Sequence, residues 1–431
     1  MDKRFGVEKL VGLGGGLVSP ASQKATEKAA SLCRQGRSEE AVPYLEEAIK
    51  DPNNLDAHIE IAFLSANDPK FAIQVLETTA KRGRKILLDV LGPQAFADAG
   101  PYVGHFHEIP VTRPYMRVLQ AQARLYVEID QAYGKAAAVI IEMLRLCPGD
   151  NMGQRTWLGA LLLHTKRYAD TLYFSQIWLD SYVNSANSIP ARGGTDFKPP
   201  QKGVIAAART TSDWVPAVHL YNAALAAFRL YGPRSEEARE YLTLAARANA
   251  HILTKILAGA EKPSSLNNSP RQPNGPEEAQ DYRWLTQKLW IAPDVLRWIQ
   301  DCMKHSKRAS GAEGASEPTL RDAVLKKCGN SGCGKQETKA LEYKRCAGCH
   351  LISYCSAPCQ KADWPNHKTA CKERTQLKLA RKGLMKGKGN VTDMPVFAMD
   401  MAGGVPVLYN GSTKQVLPMP FPPGSGPRAD S

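Results

Sequence analysis

The sequence predicts a mostly α-helical protein in which an α-solenoid of stacked helix pairs precedes a small module organised by two metal ions. Three observations carry this. The apolar content is 43% of residues with only 7% aromatic, and Ala, Leu, Val and Ile supply most of it, as in helices with one apolar face. Helix-turn-helix patterns recur across residues 21–304. Seven of the ten cysteines and two histidines fall between Cys328 and Cys371. At 431 residues the chain exceeds one ordinary core and implies roughly two or three folded units.

Residues 1–20 are glycine-rich and read as a flexible N-terminus. The run Gly12-Leu13-Gly14-Gly15-Gly16 has no strand before it and no Lys-Ser/Thr after it, so it does not make a phosphate-binding loop. From Ala21 the spacing predicts a helix pair. Ala25, Ala29, Leu32 and Cys33 mark one apolar face and Ala41, Leu45, Ala48 and Ile49 the next, with Gly36 at the bend. Asp51-Pro52-Asn53-Asn54 ends the second helix with turn chemistry. The unit resembles a tetratricopeptide (TPR) repeat, although Ala25 and Lys28 replace the large aromatic and leucine usual in the first helix. An internal echo supports repetition: Arg37-Ser38-Glu39-Glu40-Ala41 with Tyr44-Leu45 recurs 197 residues later as Arg234-Ser235-Glu236-Glu237-Ala238 with Tyr241-Leu242. Between them, the stretches around Tyr133 to Pro148 and Leu158 to Tyr168 follow the same grammar. Divergent repeats of this kind stack into a solenoid.

Loops are expected near 185–203 and 262–276, where Ser, Asn, Pro and Gly accumulate. Next comes a helical stretch with Trp284, Trp290 and Trp298, expected to pack against the last repeat rather than to stack bases. Residues 305–325 read as a polar linker and 326–375 as the metal module. Residues 376–431 read as a basic segment followed by a Pro/Gly-rich disordered tail. There, Pro418-Met419-Pro420-Phe421-Pro422 alternates proline with apolar residues.

The module's spacing is Cys328-x4-Cys333, Cys346-x2-Cys349, Cys355-x3-Cys359 and His367-x3-Cys371. Eight donors fill two tetrahedral zinc sites, leaving no place for a water or substrate, so these are structural zincs. Cys346-x2-Cys349 is a knuckle turn. The i, i+4 pairs Cys355/Cys359 and His367/Cys371 share a face if helical, with Pro365 expected to end the first helix and Asn366 to cap the second. His350 is a surplus donor read as a surface side chain. Cys33, Cys147 and Cys302 are read as buried small apolar residues, and His105, His107 and Glu108 as a loop without metal.

The run Tyr354-Cys355-Ser356-x2-Cys359-Gln360-x3-Trp364-x2-His367-Lys368-x2-Cys371, with Cys346-x2-Cys349 before it, resembles the MYND-type zinc finger. The four residues between Cys328 and Cys333 exceed the family's usual two. The resemblance implies interleaved sites, with Cys328, Cys333, Cys355 and Cys359 on one zinc and Cys346, Cys349, His367 and Cys371 on the other. It also implies a protein-interaction module that grips proline-containing peptides, with Gln360 and Trp364 in its groove.

The formal charge is +14, and Arg321 to Lys388 holds 16 Lys or Arg against 5 Asp or Glu. Seven thiolates and two zinc ions would bring that segment from +11 to about +8. The leading expectation is a non-enzymatic adaptor with no small-molecule substrate, its partners being proteins with proline-rich motifs and its helical repeats offering a second binding surface. The alternative is a transcription-associated or nucleic-acid-binding regulator using the basic finger region. A lysine methyltransferase is less favoured, because the chain lacks that family's asparagine-histidine cofactor motif. No apolar run approaches a membrane span, and no secretory segment opens the chain. An intracellular protein with reduced thiols is expected, with nucleus and cytoplasm unresolved.

Overall fold

A computed structural model describes residues 8–129, 131–183, 189–210, 215–267, 273–304, 319–385, 395–399, 406–410 and 415–418, as backbone alone from 377 onward. The chain divides into two compact units, Met1–Leu325 with Lys339–Leu341, and Lys326–Thr338 with Glu342–Ser431.

The first unit is helical. It opens with α1 (Glu8–Val11) and continues as consecutive hairpins: α2 (Pro20–Arg34) with α3 (Ser38–Ala48), α4 (Leu55–Leu64) with α5 (Pro69–Leu91), α6 (Arg113–Glu128) with α7 (Tyr133–Leu146), and α8 (Arg155–His164) with α9 (Tyr168–Val183). After the short α10 (Ala206–Arg209), α11 (Ala217–Tyr231) pairs with α12 (Glu236–Ala248). Then follow α13 (Ala250–Leu257), α14 (Pro276–Trp290), α15 (Pro293–Lys304) and α16 (Leu320–Val324). Sequence chemistry explains the punctuation. The hydroxyl of Ser19 caps α2 just before Pro20, and Gly36 takes φ 75° to turn the chain into α3. Asn54 does more than turn. Fully buried, it caps α4 by accepting from the Ala57 N–H and donates to the Ser22 and Thr26 hydroxyls at 2.7 Å, pinning α4 to α2.

The internal echo is structural in part. Ser38 and Ser235 both sit at helix starts, and Ala41, Ala238, Leu45 and Leu242 are all buried. Tyr241 is fully buried, whereas Tyr44 is 40% exposed. Ile49, assigned from the sequence to the inner face, is exposed, because it follows the last turn of α3. Cys147 and Cys302 are buried as expected, while Cys33 is half-buried.

Two expectations need correction. The N-terminal segment is anchored from Glu8 onward: Leu13 and Val18 are buried, and the glycine run turns tightly against Pro110 and Pro114. Gly14 (φ 62°) and Gly15 (φ 67°) permit that turn, and a Cβ at Gly15 would stand 3.3 Å from the Val111 nitrogen. Residues 1–7 lie outside the described residues. The end of the expected linker is the helix α16, started by a Thr319–Asp322 capping box and burying Leu320 and Val324 in the core; residues 305–318 lie outside the described set. The expected loop near 185–203 is described from Ile189 onward, where the Trp178 indole N–H donates to the Gly193 carbonyl at 3.1 Å.

Trp284, Trp290 and Trp298 are buried, which removes them as a platform for bases. Near them in the core of this unit lies His219 on α11, fully buried among Phe174, Trp178 and Tyr182, with neither ring nitrogen bonded to the described residues. Burial, helped by the Arg155 guanidinium, lowers its pKa to about 3. The folded imidazole therefore stays neutral where the unfolded one, near 6.5, takes up a proton. Its contribution to stability is complete above that pH and falls as the solution is acidified, by about 2 kcal/mol at pH 5. Unfolding free energies from urea titrations at pH 7.5 and pH 5.0 should diverge by about that much more in the wild type than in His219→Leu. Equal divergence would show that His219 is not the group involved.

Arg117 of α6 is buried between two carboxylates. It makes two bonds to Glu8 of α1 (2.8 and 3.1 Å) and two to Asp56 of α4 (2.7 and 2.8 Å). Burial alone would depress its pKa, but Asp56 and Glu8 outweigh burial and hold it above the ordinary guanidinium value.

The second unit holds the hairpin β1 (Lys344–Arg345) and β2 (Ser353–Tyr354), followed by α17 (Ala357–Met385). Its last strands, β3 (Pro395–Met399), β4 (Pro406–Asn410) and β5 (Gln415–Pro418), form an antiparallel meander where a disordered tail was expected. Met419 to Pro422 of the proline-alternating stretch lie outside the described residues. Among the described residues no helix is long and apolar enough to cross a membrane.

Candidate metal centre and interaction finger

The backbone builds both centres from short hydrogen-bonded turns. The Cys328 N–H donates to the Lys335 carbonyl and the Cys333 N–H to the Asn330 carbonyl, closing the first loop despite its extra length. In the knuckle, the His350 N–H donates to the Cys346 carbonyl and the Cys346 N–H to the Ile352 carbonyl, which leads into β2. Gly348 is required there, since a Cβ would lie 2.9 Å from Cys371 Sγ.

Two donor sets result. Cys328, Cys333, Cys355 and Cys359 converge in one, and Cys346, Cys349, His367 and Cys371 in the other, with donor atoms within 4.8 Å of one another in each. Cys333 and Cys355 Sγ are 3.6 Å apart, Cys355 and Cys359 3.5 Å, and Cys346 and Cys371 3.6 Å; Cys349 Sγ lies 3.4 Å from His367 Nε2. Sulfurs bound at about 2.3 Å around a tetrahedral zinc stand roughly 3.8 Å apart, whereas disulfide sulfurs stand about 2.05 Å apart. The spacing, the sulfur-rich donors and the buried second set fit two zinc ions.

The thiols share their protons unevenly. Burial pushes the Cys346 thiol up, but the Cys349 N–H, His367 and further donors bring it down to about 6. The Ser356 hydroxyl and Cys355 bring Cys359 down to about 7, whereas Cys359 and burial push Cys355 up to about 12. One thiol in each set thus favours the thiolate, the form that binds metal.

Sequence reasoning found all eight donors and missed what orients them. Glu337 is 1% exposed and accepts from the Lys326 N–H at 2.8 Å and the Tyr343 N–H at 2.9 Å, tying the two arms of the first loop together. Buried Tyr354 donates to Asp363 of α17 at 2.6 Å, locking β2 to the helix that carries Cys359, His367 and Cys371. Neither pair had a spacing signal. Pro365 does not split α17, which runs unbroken from Ala357 to Met385. The proline is exposed, as are Lys361 and Asn366, so water can satisfy the carbonyl that loses its partner, and zinc donors hold the helix on both sides. His350 is exposed at φ 58° and stands outside both sets. His105 and Glu108 form an exposed pair at 3.2 Å.

Gln360 and Trp364 lie one helical turn apart on α17, Gln360 half-buried and Trp364 39% exposed. The Trp364 ring stands edge-on to His367 at 6.0 Å. Leu351 is 59% exposed and donates its N–H to Cys349 Sγ, so it borders the same zinc site. No spacing or motif singles it out.

Comparison with known proteins agrees with this geometry. The MYND finger family model matches residues 327–371. An F-box protein of Arabidopsis thaliana is 46% identical over 48 residues, 11% of this chain and 14% of that one. The SET domain and MYND-type zinc finger protein 6 of Schizosaccharomyces pombe is 52% identical over 42 residues, 10% of this chain and 8% of that one. The MYND-type zinc finger protein samB of Aspergillus clavatus is 26% identical over 135 residues, 28% of this chain and 21% of that one. The chain thus spans only a small part of these relatives. No solved structure matches it. Residues 327–371 are a MYND-type zinc finger, in general a protein-interaction module, attached to a mostly helical chain.

Proposed function

We propose that the protein is a non-enzymatic adaptor whose finger grips proline-containing peptides through Gln360 and Trp364, while TPR-like helix pairs offer a second binding surface. Trp364 carries this reading. The finger's small core consists of Tyr354 and four of its own zinc donors, Cys328, Cys346, Cys349 and Cys371, yet its one tryptophan is left 39% exposed rather than spent on that core. Four protein donors at each zinc argue for scaffolding rather than chemistry. Reduced thiols suit an intracellular setting.

Affinity capture with wild-type and Trp364→Ala chains side by side tests the reading. Proline-rich partners should be recovered by the wild type and lost at least tenfold in the variant, with zinc content unchanged at two per chain. Equal recovery would refute the groove assignment.

A further inference from the structure

Helix α17 presents charge as well as Trp364. At about 100° per residue, Lys361, Lys368 and Lys372 fall within about 40° of one another around its axis, and Trp364 borders this stripe about 40° from Lys368. All four are exposed, while the zinc donors His367 and Cys371 on the same helix are buried. Lys361 stands three places before Trp364 and Lys368 four places after it, the two spacings at which side chains are neighbours on a helix surface. The exposed indole is therefore bracketed by two ammonium groups. Among the described residues neither makes an ion pair or a hydrogen bond.

The finger's own acids do not offset them. Between Lys326 and Gln376 all ten Lys and Arg are exposed, whereas two of the four acidic residues are buried. Asp363, next to Trp364 in the chain, turns inwards to accept from Tyr354, and Glu337 accepts the Lys326 and Tyr343 N–H groups. Of the two exposed acids, Glu342 is engaged by the N–H and hydroxyl of Thr338. Glu373 sits neither three nor four places from any lysine of the stripe. The net negative charge of zinc-bound thiolates lies on the inward side of the helix, where Cys371 is 5% exposed.

Two cations left without anions beside an exposed ring suit a ligand that brings its own anions. Lys361 and Lys368 are seven positions apart, about 10.5 Å along the helix. An extended proline-rich segment rises about 3.1 Å per residue, so carboxylates three or four positions apart span that distance. The two or three residues between them are then the ones that reach Trp364. We infer that the partner segment taken by the finger carries an acidic residue on each side of a short proline-apolar core, so that Lys361 and Lys368 meet the two carboxylates while Trp364 meets the core. The inference rests on the groove reading above and adds to it a charge requirement that proline and apolar residues alone do not meet.

The test uses the full zinc-loaded chain and three labelled, end-capped peptides that share a Pro-Leu-Pro core and differ only in the residue on each side of it: glutamate, glutamine or lysine. Fluorescence anisotropy at low salt should show the glutamate-flanked peptide binding about fivefold tighter than the glutamine-flanked one, as two exposed ion pairs allow, and the lysine-flanked peptide binding most weakly. Lys361→Glu with Lys368→Glu should reverse that order while leaving the glutamine-flanked affinity and two zinc ions per chain unchanged, which reports an intact finger. Lys372→Glu, two turns from Trp364, should alter the order little. Equal affinity of the wild type for all three peptides, with binding lost in Trp364→Ala, would overturn the inference and leave the groove reading standing. A glutamate preference that survives both reversals would also overturn it, and binding of none of the three would overturn both readings. An unlabelled twenty-nucleotide single strand that displaces the glutamate-flanked peptide at a lower concentration than the unlabelled peptide itself would make the stripe a phosphate-binding surface and overturn the inference.

Discussion

Removing zinc should unfold the finger and leave the helical unit folded. The core of the finger consists of Cys328, Cys346, Cys349, Tyr354 and Cys371, so four of its five buried apolar positions are metal donors. Without the ions these thiols are poor substitutes for Leu or Ile, and the Tyr354–Asp363 bond and the turns around Glu337 have little else to hold them. Structural zinc contributes on the order of 10 kcal/mol or more per site, far above what a core of this size supplies. The helical unit, by contrast, holds its own extensive core from Leu55 to Leu325 without any metal donor cluster among its described residues. A strong chelator should extract two zinc ions per chain, and hydrogen exchange across residues 328–371 should then lose its protection, while amides of α6 to α12 keep theirs. Retained protection in the finger after both ions are gone would contradict the account.

Replacing Arg117 by methionine should cost about 3–5 kcal/mol. The substitution leaves Glu8 and Asp56, with side chains 3% and 11% exposed, facing each other without a cation. Their four charge-assisted bonds vanish, and two desolvated carboxylates repel one another. Urea denaturation at pH 7 should show the full loss. Part of it should return when Glu8→Gln and Asp56→Asn are added to the variant, because neutral amides end the repulsion. A loss that does not shrink in the triple variant would point to lost packing instead of uncompensated charge.

These two sites show what the sequence could and could not convey. The zinc donors were legible because coordination demands short spacings of one residue type, so Cys346-x2-Cys349 and His367-x3-Cys371 announce themselves. The Glu8–Arg117–Asp56 cluster joins residues 109 and 61 positions apart, and nothing local marks any of the three. Helix pairs were legible through Gly36, the turn at Asp51-Pro52-Asn53-Asn54 and the alanines at helical spacing. The course of α17 was not, since the rule that proline ends a helix yields where the orphaned carbonyl is exposed and metal donors hold both flanks. Asn54 is an intermediate case: its side chain reads as a turn former, yet its larger role, binding α2 to α4, needs tertiary structure to be visible.

The central claim is that the two zinc sites exist to present Trp364 to a peptide. Selective labelling of tryptophan indole nitrogens places seven signals in a nitrogen–proton correlation spectrum, one for each tryptophan. Titration with a short peptide alternating proline and apolar residues should move the Trp364 signal progressively to saturation while the other six stay in place. A Trp364 signal that stays fixed while the peptide binds would contradict the account.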